Sequence, residues 1–176
     1  VSGPGQTGWL ARLFGNRPKA PDVPRVRGAA ELPAAATMDR VGTFLTRRGY
    51  RFRVDEDGDI TGTWEGHRFW FMLLGPEQHV LQVRGRWDRS VPPDARLALL
   101  QAMNDWNRER IWPKVYTREE DDRLAVYAEV SVDLEHGATD AQLGQVISCG
   151  LGTGVQVFSS LGSLLPPPDD EPGPEA

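Results

Sequence analysis

Three parts of the chain bring together residue types that can do chemistry. DEDGD at 55–59 offers the carboxylates and glycine of a calcium loop. Such a loop needs oxygen ligands at positions 1, 3 and 5, glycine at 6 and glutamate at 12. Counted from Asp55, Gly58 falls fourth and the twelfth residue is Gly66, while the flanks alternate like strands. The stretch therefore reads as a solvated hairpin turn, as does EEDD at 119–122. CGLGTG at 149–154 suggests a phosphate loop, yet Gly150, Gly152 and Gly154 lie two apart and Val155 stands where the third fingerprint glycine belongs. It also falls inside a helical apolar repeat, where backbone amides are already bonded to carbonyls. Each glycine costs a helix about 1 kcal/mol against alanine, so close helix–sheet packing is the better explanation. Lastly, Cys149 and the histidines His67, His79 and His136 are isolated, without zinc-site spacing. No serine sits in a nucleophile elbow. The expectation is a chain without catalytic residues, metal or cofactor.

These stretches must be positioned by recognisable elements. Thr37 caps a first helix with Val41, Phe44 and Leu45 on one face and Gly49 as its stop. YRFRV (50–54), ITGTW (60–64), RFWFMLL (68–74) and HVLQVRGRW (79–87) follow as strands, with turn signals every eight to twelve residues. The apolar run RFWFMLL reads as a strand buried on both faces. Pro92-Pro93-Asp94 opens a second helix. Its stripe is either Leu97, Leu100 and Met103 or Leu99, Met103 and Trp106. Trp112-Pro113 closes it. KVYTR (114–118) and LAVYAEVSVDL (124–134) form a hairpin. In the latter Leu124, Val126, Ala128, Val130, Val132 and Leu134 share one face, with Tyr127, Glu129, Ser131 and Asp133 on the other. Thr139 and Asp140 cap a third helix through Leu143, Val146, Ile147, Leu151, Val157, Phe158 and Leu161. The order α-β-β-β-(β)-α-β-β-α, an antiparallel sheet with flanking helices, is the α+β class.

Composition sets the limits of the domain. Residues 1–36 are Pro-, Gly- and Ala-rich with net charge +3, and 166–176 is PPPDDEPGPEA with −4. Both are expected to be disordered tails around one domain at 37–165, itself at −4 within a chain of −5. A mildly acidic domain argues against nucleic acid as partner. Trp9, Leu10, Leu13 and Phe14 in the first tail form a candidate docking or membrane-surface motif, short for that role. With no apolar run long enough to span a membrane, no secretory leader pattern and one cysteine, the cytoplasm is expected.

Residues 103–117, MNDWNRERIWPKVYT, combine aromatic and basic side chains. Met103 and Trp106 continue the second helix's apolar face, and the charges alternate in sign, so the stretch reads as a helix–turn–strand seam. Its NDWNRER (104–110) followed by Trp112-Pro113-Lys114 resembles the hallmark of YbjN-domain proteins, as does AEVSVDLEHGATDAQL (128–143). The likeness spans about 37–163. It implies a bacterial sensory-transduction regulator with a fold similar to type III secretion chaperones, binding protein without catalysis and pairing as a homodimer. The small-residue face of the last helix is a second argument for pairing. The candidate interaction surface is the sheet face left bare by helices, with Trp64, Trp70, Trp87, Trp106, Trp112 and Tyr116 as its aromatics. The alternative is a small-molecule sensor with a pocket between the last helix and the sheet.

Overall fold

The computed structural model describes residues 31–164. The two tails and the cluster Trp9, Leu10, Leu13 and Phe14 lie outside the described residues, apart from positions 31–36.

The first helix, α1 (Met38–Arg47), begins where Thr37 Oγ1 accepts the Arg40 amide at 3.3 Å. It ends in a Schellman turn: Gly49 at φ 74° lets the Tyr50 amide reach Leu45 O and the Gly49 amide reach Thr46 O. The side chain of Arg40 then ties distant chain together. Its guanidinium donates to the carbonyls of Ala34, Ala35 and Ala138 and to Asp140 Oδ1. Ala34 also pairs with Ala138 in an antiparallel bridge, and Glu31 accepts the Asp140 amide. Residues 31–36, assigned to the tail from their composition, are thus held against the domain by backbone groups that composition does not reveal.

Six strands follow: β1 (Arg53–Val54), β2 (Ile60–Trp64), β3 (His67–Leu74), β4 (Val80–Val91), β5 (Lys114–Glu120) and β6 (Arg123–Asp133). They form one sheet in the order β1-β2-β3-β4-β6-β5, antiparallel throughout. Two hairpins close in two residues with positive φ, Glu65-Gly66 and Asp121-Asp122, the backbone that matches strand twist. DEDGD is the β1–β2 turn, where Asp55 Oδ1 accepts the amides of Asp57 and Asp59. β1 is shorter than expected, since only Arg53 and Val54 pair with β2.

Helices α2 (Arg96–Glu109) and α3 (Asp140–Leu164) complete the order. A single 3-10 turn, Pro93–Ala95, leads into α2. Its buried stripe is Leu99 and Met103 with Trp106 partly buried, while Leu97 and Leu100 face out. Helix α3 starts with a reciprocal cap: Thr139 Oγ1 accepts the Gln142 amide and Gln142 Oε1 accepts the Thr139 amide. The helix runs unbroken through CGLGTG. A β-carbon on Gly150 would lie 2.5 Å from Val83 Cβ and one on Gly154 2.8 Å from Phe69 Cε1, so these two glycines let α3 sit down on β4 and β3. Gly152 has no neighbour within 4 Å and plays no such part.

The core joins Phe69, Phe71, Leu81, Val83, Trp87, Val126 and Val130 of the strands to Leu45, Leu99, Ile147 and Phe158 of the three helices. Strand alternation puts these sheet residues on one face. Among the described residues β3 therefore has helices on one side only: Phe69 and Phe71 point into the core, and Arg68 and Trp70 point away. Burial on both faces holds only in part for this strand: Met72 on the helix-free side is 8% exposed, but Trp70 is half-buried and Leu74 is exposed. Its run looks uniformly apolar because Trp70, Met72 and Leu74 occupy the helix-free side.

Candidate functional site on the open sheet face

The strand registers align side chains of the helix-free face in rows. One row crosses all six strands as Arg53, Thr61, Trp70, Arg84, Glu129 and Lys114. The next holds Thr63, Arg68, Arg86, Tyr127 and Tyr116. On the strands of this face Arg53, Arg68, Arg84, Arg86, Lys114, Arg118 and Arg123 outnumber Glu120, Glu129 and Asp133, while Asp55, Glu56 and Asp57 of the β1–β2 turn add acidic charge at its margin. The face is thus basic on a chain of net charge −5.

Two carboxylates organise the β5–β6 half. Glu129, nearly buried, accepts Lys114 Nζ at 2.5 Å, the Tyr116 hydroxyl at 2.9 Å and Arg84 Nε at 3.3 Å. Burial works to raise its pKa, but the bonds from Lys114 and Tyr116 and the charges of Lys114 and Arg84 outweigh burial and hold it below the usual carboxylate range. Glu120 accepts Arg86 Nη2 at 2.7 Å and the Tyr127 hydroxyl at 2.5 Å. Those two bonds, Arg86 first, lower its pKa. Burial and the bond to Glu129 push Tyr116 up to about 12, and burial and Glu120 raise Tyr127. The tyrosine rings stack at 5.6 Å, with the Arg118 guanidinium 5.6 Å from one centroid and 5.2 Å from the other. This half is a rigid, charged and aromatic plate. Across β4, Arg68 lies over the Trp70 ring at 4.8 Å.

The six aromatics named from sequence divide between three places. Trp70 and Tyr116 stand on the open face. Trp87 is 2% exposed within the core. Trp64 belongs to the helix side, edge-on to Phe69 and Phe71 at 5.9 and 5.5 Å, and Trp106 packs against the core under the Arg110 guanidinium. Trp112 is 46% exposed beyond α2, preceding Pro113 through a cis peptide. Tyr127, Arg68, Arg84, Arg86, Arg118, Glu120 and Glu129 were not singled out. Alternation in 124–134 does assign Tyr127 and Glu129 to the outer face, but their alignment with Arg84 and Arg86 needs the register, which sequence alone leaves open.

The NDWNRER stretch has an architectural role beyond its tryptophan. Asn107 accepts the Val115 amide and donates to the Val115 carbonyl, both at 3.0 Å. Its amide therefore stands in for a neighbouring strand at the outer edge of β5. Among the described residues no three His, Cys, Asp or Glu side chains are grouped to hold a metal. The half-buried Cys149 thiol has its pKa raised by burial, the opposite of an activated nucleophile.

Among the described residues, an antiparallel sheet backed by three helices on one face and free of helices on the other defines an α+β domain. The YbjN family model, described as "Putative bacterial sensory transduction regulator", matches residues 37–163. The chain belongs to the YbjN family. Among solved structures it is similar to YbjN from E. coli, described as a "putative transcription regulator". The TM-score is 0.61 at 15% identity, with 74% of this chain and 94% of that chain covered, a likeness of fold. Comparison with curated proteins finds no match.

Proposed function

We propose that the domain is a cytoplasmic, non-enzymatic regulatory module that binds an acidic segment of a partner protein on its open sheet face, in the manner of a chaperone. The observation that carries this reading is the charge reversal: a basic, aromatic face on an acidic chain. Arginine and tyrosine offer large contact area and charge-assisted bonds, and they recur at the centres of protein interfaces. A nucleic acid is less well served. The tyrosine rings stack on each other instead of lying open to bases, and Glu120 and Glu129 stand among the cations where a phosphate backbone would run.

Sensing by a pocket between α3 and the sheet has little support, because Gly150 and Gly154 bring α3 into contact with Val83 and Phe69. Those glycines face the sheet and Gly144 faces Phe44, so the small-residue side of α3 is used within the subunit. For a homodimer we propose instead the exposed apolar side chains Leu97 and Leu100 of α2. No helix among the described residues is long and apolar enough to cross a membrane.

Affinity capture with the wild-type chain and with an Arg68→Glu/Arg118→Glu chain tests the reading. A partner bound by this face is recovered with the first and lost with the second. Equal recovery of every bound protein by both chains would place binding elsewhere.

A further inference from the structure

At the β1–β2 margin of the open face lies a shallow cavity of about 460 Å³ whose lining includes Arg51, Arg53, Arg68, Thr61 and Thr63, and no acidic side chain. Seven other lysines and arginines among the described residues hold a carboxylate, among them Arg40, Arg84, Arg86 and Lys114. Among the described residues Arg51, Arg53 and Arg68 form no ion pair. Three guanidinium groups without carboxylates at one depression are an unusual concentration of unspent charge.

Local structure holds them there. Phe52 turns inward, its ring 3.4 Å from where a β-carbon on Gly42 would lie, and Arg53, the first residue of β1, stands on the outer face opposite Thr61, while Arg51 joins it in the lining of the depression. Arg53 stands opposite Thr61 and Arg68 opposite Thr63 in the sheet register. Thr61, 3% exposed, donates to Phe69 O at 3.1 Å, and its oxygen lies 3.4 Å from Arg68 Nε. With its guanidinium carbon 4.8 Å from the Trp70 ring centroid and Nε turned to Thr61, Arg68 keeps its two terminal amino groups for a ligand.

We propose that this margin is a binding site for a phosphate monoester. A dianion with three terminal oxygens matches planar guanidinium forks, where a lone carboxylate would neutralise only one of the three. Arg51, Arg53 and Arg68 bind the phosphoryl oxygens, the exposed Thr63 hydroxyl donates a further bond, and Thr61 is a positioning residue. Asp55, Glu56 and Asp57 line the adjoining depression with Arg53 and Arg68 and weaken the site by their charge. One Asp55 oxygen is already turned to the amides of Asp57 and Asp59. The inference goes beyond partner binding: phosphate binds here whether or not a protein docks on the face.

The test is an amide NMR titration of the full chain with sodium phosphate against sodium chloride at equal ionic strength. A neutral serine-phosphorylated peptide and its unphosphorylated form provide a second pair. Phosphate is expected to move the Thr61, Gly62 and Thr63 amides saturably where chloride does not. Arg53→Gln and Arg68→Gln each weaken binding about tenfold, the loss of one charge-assisted bond. Asp57→Asn tightens it, and Arg108→Gln on α2 leaves it unchanged. A phosphopeptide that binds more tightly than inorganic phosphate assigns the ligand to a phosphoprotein, and one that binds no tighter assigns it to a free phosphorylated compound. Equal shifts in phosphate and chloride, or undiminished binding by a folded Arg68→Gln chain, overturn the site.

Discussion

Two glycines of α3, one helical step of two apart, are predicted to respond oppositely to alanine. At Gly152 the new methyl meets nothing within 4 Å, so the change removes backbone entropy from the unfolded chain and improves helix propensity. The expected gain is about 0.5–1 kcal/mol. At Gly150 the same gain applies, but the methyl carbon would lie 2.5 Å from Val83 Cβ and 2.7 Å from Val83 Cγ1. Val83 is 1% exposed on a strand flanked on both sides, so it has nowhere to move and α3 must lift. Overpacking of this kind costs about 1–3 kcal/mol, and here also opens contacts along the helix. The net expectation is destabilisation by about 1–2 kcal/mol. Urea unfolding of both variants beside wild type measures the two signs directly, since a change of midpoint at constant slope is a change of stability. If Gly150→Ala stabilised the domain as Gly152→Ala does, the close seating of α3 on β4 would be wrong.

Asn107→Asp keeps an acceptor for the Val115 amide but sets a carboxylate oxygen against the Val115 carbonyl. A loss of about 1–2 kcal/mol in urea unfolding, exceeding that of Asn107→Ala, is expected. At alkaline pH Tyr116 is the group to follow. Its folded pKa of about 12 lies above the ordinary phenol value of 10.0, so its contribution is complete below 10 and disappears as pH rises through 12. Glu129→Gln lowers the Tyr116 titration seen in phenolate absorbance but leaves it above 10, because burial is the larger cause. The depressed Glu129 pKa acts at the other end. Its contribution is present above the ordinary carboxylate range and is lost on acidification through the folded value, and Glu129→Gln removes that part of the acid transition.

Elements with local signals were readable from the chain. The Thr37 and Thr139 caps, the Gly49 stop and the apolar face of 124–134 each follow from neighbouring residues, whereas EEDD, read as a turn, gives Glu119 and Glu120 to β5 and only Asp121-Asp122 to the turn. Features that depend on distant partners were not. Arg40 looks like a faulty capping-box residue until Asp140, a hundred positions away, is brought beside it. Trp87 reads as a surface candidate until the register sets it among the helices, and the irregularity between Arg86 and Ser90 breaks the simple alternation of β4. The charge of the open face was hidden for the same reason. Its cations come from five strands and its sign emerges only when the strands are side by side, whereas the summed composition is acidic.

What occupies the helix-free face decides how this domain works. Photo-crosslinking in living cells, with a benzoylphenylalanine placed at Trp70 in one chain and at Leu97 in another, reads this directly. A discrete protein adduct from position 70, abolished by adding Arg118→Glu, is the predicted result. Adducts confined to position 97, or nucleic acid captured at position 70, would contradict it.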